Sequence, residues 1–313
     1  MSAKTRFPLR GIVVSLDTPF DTSGKIDFYA LGRLVEVHLA AGAVGFLTPA
    51  QAAEVNALTP GERLDLIRFV QGMLRGRATL VAGATAPGEA DSFRTAEGAL
   101  AAGCEIVLVE IPSRYLGDRT ATMDFVRRFA SVGMPVLMIQ DLDWSGSGLD
   151  VSWVVEMFET VEAFRSLKVE VRPAGPKYTA VLEATGGRLH VSGGWAAEQM
   201  IEALDRGVDV FIPTGMTSLY RAVFDAHSAG DRARARLIFH QMLPVLAFTQ
   251  QHLDISIQFL KRLFYRRGIF STTLIRKECQ LYDSHHEAYG EELMEYLDRV
   301  EAEYGWPAGP APK

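Results

Sequence analysis

The feature of this sequence that most restricts its fold is a regular alternation of short apolar runs with longer amphipathic stretches. Eight such runs begin 19 to 36 residues apart, which is about the length of one strand–helix unit. Most are rich in β-branched residues and are bounded by Gly, Pro or Asp, as expected of strands that are buried on both faces. The runs cover residues 11–18, 43–48, 79–85, 105–110, 135–141, 164–171, 189–194 and 208–215.

Eight successive strand–helix units predict an α/β fold of the (β/α)8, or TIM-barrel, type. A doubly wound sheet is the competing architecture, but one that bound a dinucleotide would carry a glycine-rich turn after its first strand. Here the first run leads into DTPFDTSGKID, which contains no such turn. We therefore predict a barrel over residues 1–228, a C-terminal helical extension over 229–305 that packs on the barrel, and a loose, Pro- and Gly-rich tail over 306–313.

Two helix starts are marked by local capping signals. Thr59 is followed by Pro60 and, three residues after the cap, by Glu62, which is the pattern of a capping box. Asp27 is predicted to cap a helix that runs to about Ala41.

Charge and composition exclude several classes of protein. The net charge of −6 and the lack of a basic stripe argue against a nucleic-acid partner. The longest stretch without a charged residue or His, residues 39–53, is too short to cross a membrane. The N-terminal residues contain no apolar run typical of a secretion signal. Cys104 and Cys279 are far apart and lack metal-ligand spacing, so two free thiols and a cytoplasmic location are expected, with Cys104 buried as a small apolar residue.

Lys168 is the residue whose position most strongly indicates chemistry. It lies late in a mostly apolar strand, and catalytic groups of a barrel lie at the C-terminal ends of its strands. Desolvation there lowers the pKa of a lysine and frees its amine to attack a carbonyl carbon. The alternative is a lysine that reaches solvent or pairs with Glu170, two residues further on and on the same strand face.

Short motifs that occur in a fixed order along the chain identify a family resemblance. They are Gly11-Ile12, Thr18-Pro19-Phe20, Gly24-Lys25-Ile26-Asp27, Gly42 and Gly45, Glu54, Leu58-Thr59, Glu62-Arg63, Ile111-Pro112, Ser192-Gly193, Gly207-Val208-Asp209 and Phe211-Ile212. In order and spacing the chain resembles the dihydrodipicolinate synthase / N-acetylneuraminate lyase family of class I aldolases, over about residues 8 to 300. The resemblance places Lys168 at the position of the family's Schiff-base lysine. It implies a 2-oxo acid substrate such as pyruvate, no cofactor beyond the lysine, and a homo-oligomer, either a dimer or a tetramer built from dimers.

The segment after the second strand departs from the family pattern. A Gly-Thr-Thr-Gly-Glu run normally holds the pyruvate carboxylate, whereas residues 50–54 read AQAAE, so both hydroxyl groups are missing and the glutamate is kept. An amide side chain and backbone N–H groups can still donate hydrogen bonds to a carboxylate. By resemblance, Gln51, Ala52, Gly193 and the backbone carbonyl group of Ile212 are predicted to line the keto-acid end of the site.

The fifth strand carries a second departure. The family's proton-relaying tyrosine ends this strand, but the corresponding residue here is Gln140, and an amide cannot act as a general acid or base near neutral pH. We predict that Gln140 orients a water molecule or a substrate hydroxyl group. Water, Asp141 and Glu110 remain open as the proton relay.

A third departure follows the fourth strand, where the synthases typically have Pro-Tyr-Tyr and this chain has Pro-Ser-Arg-Tyr at 112–115. Arg114 is predicted to bind a carboxylate, and Tyr115 to serve from a shifted position. The alternative for both is an ordinary surface loop. The arginine with which the synthases bind the carboxylate of their second substrate has no counterpart in residues 144–148.

The remaining polar residues favour structural roles. Lys177 follows Pro176 at a helix start and is predicted to be solvated. His190 lies beside an apolar run and is predicted to be a hydrogen-bonded core residue. His285 and His286 are adjacent on a predicted helix and therefore face different sides of it, so no metal site is predicted.

Together these residues predict a class I, Schiff-base lyase or aldolase that acts on pyruvate or another 2-oxo acid. The altered positions argue against the standard synthase specificity and do not favour the N-acetylneuraminate lyase activity. The alternative from another class is a barrel that has lost catalysis and binds a small ligand or regulates a partner.

Overall fold

The chain folds as a closed barrel of eight parallel strands that follow one another in sequence order, which confirms the predicted TIM-barrel class. The computed structural model describes residues 4–276 and 281–307. The strands are β1 (Gly11–Ser15), β2 (Gly45–Thr48), β3 (Thr79–Gly83), β4 (Ile106–Glu110), β5 (Val136–Asp143), β6 (Phe164–Val171), β7 (His190–Gly193) and β8 (Val210–Phe211).

Helices alternate with the strands, and three further helices follow the last of these units. The alternating helices are α1 (Phe28–Ala40), α2 (Pro60–Leu74), α3 (Glu89–Ala101), α4 (Arg119–Ala130), α5 (Val151–Thr160), α6 (Ala174–Ala184), α7 (Met200–Asp205) and α8 (Thr217–Ser228). The C-terminal helices are α9 (Arg232–Thr249), α10 (Leu253–Arg266) and α11 (Ser284–Glu303).

The described residues form two compact units. The first unit contains Leu80–Ile212 and the described part of Met1–Arg10, and it holds strands β4 to β8. The second unit contains Gly11–Thr79 and the described residues after Ile212, and it holds β1, β2 and the C-terminal helices.

Local hydrogen bonds explain where the first helices begin. The Thr59 hydroxyl group accepts from the Glu62 N–H, and the Glu62 carboxylate accepts from the Thr59 N–H at 2.9 Å, so α2 begins with the predicted capping box. The Asp27 carboxylate accepts from the Ala30 N–H at 2.9 Å and caps α1, as predicted. Both helix starts are therefore fixed by residues within one turn of each other.

Several smaller predictions can be checked in the fold. Cys104 is buried, and burial raises the pKa of its thiol to about 11, in agreement with an inert apolar role; Cys279 lies outside the described residues. The Trp306 ring packs edge-to-face against the His38 ring, with 5.4 Å between the ring centroids. Most of the predicted loose tail, residues 308–313, lies outside the described residues, so this part of the domain division stays a prediction. Among the helices described, none is both long and apolar enough to cross a membrane.

Candidate active site

Lys168 lies on the inner face of the barrel, in a row of side chains contributed by neighbouring strands. Register pairs join Glu110 of β4 to Gln140 of β5, Gln140 to Lys168 of β6, and Lys168 to Ser192 of β7. Residues paired in this way on parallel strands point to the same side of the sheet. Lys168 is only 5% exposed.

Asp141, the residue after Gln140 on β5, shows on which face of the sheet the row of side chains lies. Asp141 forms a buried ion pair with Lys177 of α6, with 3.0 Å between Oδ2 and Nζ, so Asp141 faces the surrounding helices. Successive strand residues point to opposite faces, and Gln140 and its row therefore point into the barrel. The prediction that Lys177 is solvated is wrong, because Asp141 and the carbonyl groups of Ser147 and Leu149 hold its ammonium group inside the protein.

Glu170 is the charged partner of Lys168. The Lys168 Nζ lies 3.0 Å from Glu170 Oε2, the Gln140 amide nitrogen donates to the same oxygen, and the Trp195 backbone N–H donates to Oε1 at 2.8 Å. The pairing that the sequence offered as an alternative role for Lys168 is thus present. It also places the amine beside a carboxylate that can accept its proton.

Two glycines at the end of β7, Gly193 and Gly194, make room for these groups. A Cβ atom on Gly194 would lie 2.2 Å from Glu170 Oε1, well inside van der Waals contact. A Cβ atom on Gly193 would lie 2.9 Å from the Tyr178 hydroxyl oxygen of α6. Gly193 was predicted to line the keto-acid end, and its backbone carbonyl accepts from the Ile212 N–H at 2.9 Å. The structure therefore places Gly193 and Ile212 together at the ends of β7 and β8.

A cavity of about 250 Å³ opens beside this row within the first unit. It is rich in carboxylates, and its lining consists of Glu110, Ile111, Leu116, Gln140, Asp141, Leu142, Asp143, Gly148, Leu149, Asp150 and Trp153. Burial raises the pKa of the Glu110 carboxyl group; the charge of Glu170 raises it further, and that of Lys168 lowers it. Burial also raises the pKa of Asp141, against the opposing effect of Lys177.

Arg114 and Tyr115 bind another side chain, Glu89, in this structure. The Arg114 guanidinium group and the Tyr115 hydroxyl group both bind the Glu89 carboxylate, which also pairs with Arg128. These groups hold the pKa of Glu89 below its ordinary value against the effect of its partial burial. Neither Arg114 nor Tyr115 is among the residues that line the cavity, and their contacts with a substrate remain a prediction.

Gln51 and Ala52 lie in the second unit, in a short 3-10 turn (Gln51–Ala53) directly after β2. Both are half-buried. The first N–H groups of such a turn have no partner within it, so they are available to an acceptor. Their role at the keto-acid end remains a prediction.

The same unit contains a buried ion pair that the sequence analysis missed. Lys261 of α10 binds the Glu54 carboxylate, and both side chains are almost wholly inaccessible to solvent. Glu54 also accepts from the Arg276 backbone N–H at 2.8 Å. A charged residue on the apolar face of an amphipathic helix was the signal available: Lys261 lies between Leu260 and Leu263 in SIQFLKRLF.

Asp17, just after β1, is buried beside this pair, and within the described chain neither of its carboxyl oxygens has a hydrogen-bond partner. Burial raises its pKa well above the usual value; Lys261 opposes this shift and Glu54 adds to it. The pKa of Asp17 is thus higher in the folded state than in the unfolded state, where it is about 4. The free energy of unfolding therefore falls as the pH rises from about 4 through the folded-state pKa of Asp17.

The variant D17N is therefore expected to be more stable than the wild type at pH 7, by about 1–3 kcal/mol. The gain should shrink toward zero as the pH falls below about 4, where Asp17 is protonated in both states. Urea unfolding at a series of pH values measures both effects. D65N removes a charge from an exposed aspartate and is the matched control. A D17N gain that is the same at pH 4 and pH 7 would contradict this interpretation.

The described residues contain no group of three or more His, Cys, Asp or Glu side chains that could hold a metal ion. His285 and His286 lie in the first turn of α11, where Asp283 accepts hydrogen bonds from both backbone N–H groups. His190 is a buried, hydrogen-bonded core residue, as predicted: Nδ1 contacts Ser166 Oγ at 2.7 Å and Nε2 contacts the Leu9 carbonyl oxygen at 2.9 Å.

The fold and the lysine on β6 define a class of protein, the TIM barrels with a buried lysine in the C-terminal half of a strand. The model of the dihydrodipicolinate synthetase family matches residues 8–295, and the chain belongs to that family. This confirms the resemblance found in the sequence.

Individual relatives are distant. A 4-hydroxy-tetrahydrodipicolinate synthase of Chlorobium luteolum is 31% identical over 150 residues, which are 48% of this chain and 51% of the relative. A 4-hydroxy-tetrahydrodipicolinate synthase of Streptomyces coelicolor is 27% identical over 76% of this chain and 78% of its own length. An uncharacterized DapA-like lyase of Rhizobium meliloti is 22% identical, and this match also spans only about half of each chain, 49% and 51%.

Solved structures agree with the fold. A dihydrodipicolinate synthase of Rhodopseudomonas palustris superposes with a TM-score of 0.83 at 20% identity, covering 96% of this chain and 100% of that one. YagE, a prophage protein of the same family from E. coli K12 whose structure is a complex with pyruvate, superposes with a TM-score of 0.81 at 17% identity, covering 93% and 99%.

Proposed function

We propose that this protein is a class I lyase in which Lys168 forms a Schiff base with the keto carbon of pyruvate or another 2-oxo acid. The observation that carries the proposal is the buried contact between Lys168 and Glu170 on the inner face of β6. Lys168 pairs in register with Gln140 and lies beside a polar cavity. Family membership and the pyruvate complex of YagE support the same substrate class.

The geometry suits the steps of imine formation. Lys168 passes a proton to Glu170, and the neutral amine adds to the keto carbon. Glu170 returns this proton to the hydroxyl group of the adduct, which leaves as water, and the resulting protonated imine faces the restored Glu170 carboxylate. The Gln140 amide nitrogen is bound to Glu170, which leaves its carbonyl oxygen to orient a water molecule or a substrate hydroxyl group.

The keto-acid end is proposed from the family resemblance. Gln51 and Ala52 would donate hydrogen bonds to the substrate carboxylate, with Gly193 and the Ile212 carbonyl group completing this end. The missing hydroxyl pair and the glutamine at position 140 support a specificity other than that of the synthases. We further propose that the protein acts in the cytoplasm as a homo-oligomer, a dimer or a tetramer.

A second candidate function is a barrel that binds a small ligand or regulates a partner without turning over a substrate. The Lys168–Glu170 ion pair favours this second function, because the Glu170 carboxylate already compensates the buried ammonium group. The lysine then has a structural role that needs no catalysis.

Borohydride trapping distinguishes the two functions. The folded protein is incubated with pyruvate and a series of longer 2-oxo acids, reduced, and analysed by intact mass and peptide mapping. We expect one reduced adduct per chain on Lys168, and the acid that is trapped best identifies the substrate class. If none of the acids yields an adduct on the folded protein, the lyase proposal fails and the binding function takes its place.

A further inference from the structure

Glu110 occupies a position from which it can reach a substrate bound to Lys168. It is the last residue of β4 and pairs in register with Gln140, which pairs in turn with Lys168. Two strand spacings place the Cα atoms of Glu110 and Lys168 about 10 Å apart. Both side chains point to the inner face, so together with a short 2-oxo acid they can span this distance.

The other carboxylates of the cavity have partners. Asp141 pairs with Lys177 and accepts from the Leu149 N–H at 2.8 Å. Asp143 accepts from the N–H groups of its own loop at residues 145 and 148, and Asp150 caps α5. Over residues 4–276 and 281–307, the Glu110 carboxyl group makes no hydrogen bond or ion pair.

The backbone of Glu110 is held in place independently of its carboxyl group. Its N–H donates to the Thr85 hydroxyl group at 2.9 Å, which fixes the end of β4. Burial and the negative charge of Glu170 raise the pKa of the carboxyl group above its ordinary value, with Lys168 opposing them. A carboxylate with a raised pKa is a stronger base toward a substrate proton than an exposed glutamate.

We infer that Glu110 is the general acid–base that moves the proton at carbon 3 of a 2-oxo acid bound to Lys168, the task for which the chain has no tyrosine on β5. The inference rests on the proposed function. The Glu110 carboxylate takes a proton from carbon 3 of the protonated imine. The electron pair of that C–H bond forms the double bond between carbons 2 and 3, and the C=N electron pair moves to nitrogen, which gives a neutral enamine and a protonated Glu110. Return of the proton reverses the step.

Exchange of the pyruvate methyl protons in D2O tests this step without knowledge of the second substrate. NMR measures the exchange rate, and borohydride trapping on the same samples measures imine formation. We expect E110Q to form the Lys168 adduct as the wild type does but to exchange the methyl protons about 10²- to 10⁴-fold more slowly. Glu105, exposed and directly before the first residue of the same strand, gives the matched control E105Q, which should behave as the wild type.

Each outcome bears on one of the two proposals. An E110Q variant that forms the adduct and exchanges at close to the wild-type rate overturns the role of Glu110, and so does a wild type that forms the adduct but exchanges no protons. A wild type that forms no adduct overturns the proposed function itself, and this assignment with it. E110D keeps a carboxylate on a shorter side chain and should exchange at a rate between those of the wild type and E110Q; a rate equal to that of E110Q would contradict the carboxylate's role.

Discussion

The variant K168M is expected to form no reducible adduct with any 2-oxo acid and to lose the exchange of pyruvate methyl protons. The loss should be at least about 10⁴-fold, because the covalent intermediate cannot form without the amine. The same assays of borohydride trapping with peptide mapping and proton exchange in D2O measure both effects. Methionine also removes the charge that faces Glu170, so the variant must be compared with one that keeps this charge.

K168R provides that comparison. Arginine stays protonated and can still pair with Glu170, but its guanidinium group does not form an imine. We expect K168R to fold with stability close to that of the wild type and to be as inactive as K168M. An adduct that maps to Lys177 in either variant, or proton exchange that persists in both, would refute the assignment of Lys168.

The largest effect on stability is expected from K261M. The Lys261 ammonium group faces the Glu54 carboxylate, and both side chains are buried, so methionine removes the positive charge that compensates this carboxylate. Breaking a buried ion pair on one side costs about 3–5 kcal/mol. Urea unfolding monitored by circular dichroism should show this as a lower midpoint for K261M than for the wild type.

A double variant separates the pair from the rest of the core. E54Q removes the negative charge that K261M leaves uncompensated, so K261M/E54Q should recover part of the stability that K261M loses. The double-mutant cycle should give a favourable interaction free energy between Lys261 and Glu54. K25M, at an exposed lysine, controls for the loss of a positive charge. Additive effects of K261M and E54Q would show that the two side chains do not depend on each other.

Most of the fold could be predicted because its signals are local. The capping box at Thr59 and Glu62 lies within one helical turn, and the alternation of runs fixes the order of the units. Strand ends were less predictable: β8 is Val210–Phe211 within a predicted run at 208–215. The length of a strand depends on how many backbone hydrogen bonds it forms with the neighbouring strands, and the residues of the apolar run alone do not determine that number.

The site was predictable in part for the same reason. Lys168 and Glu170 are two residues apart, so their pairing follows from the period of a strand. Lys261 and Glu54 are 207 residues apart, and nothing local connects them. Lys177 was misplaced because a helix start is normally solvated, and only the tertiary fold brings Asp141 to its ammonium group.

The carboxylate of Glu170 is bound by groups from β5, from β6 and from the turn after β7. Folding alone therefore orients the Lys168 amine, and under the proposed function little substrate binding energy is needed to orient it. The same carboxylate thus forms contacts that join three consecutive strand–helix units. We therefore expect the loss of this carboxylate to disturb both the position of the Lys168 amine and the contacts between these neighbouring units.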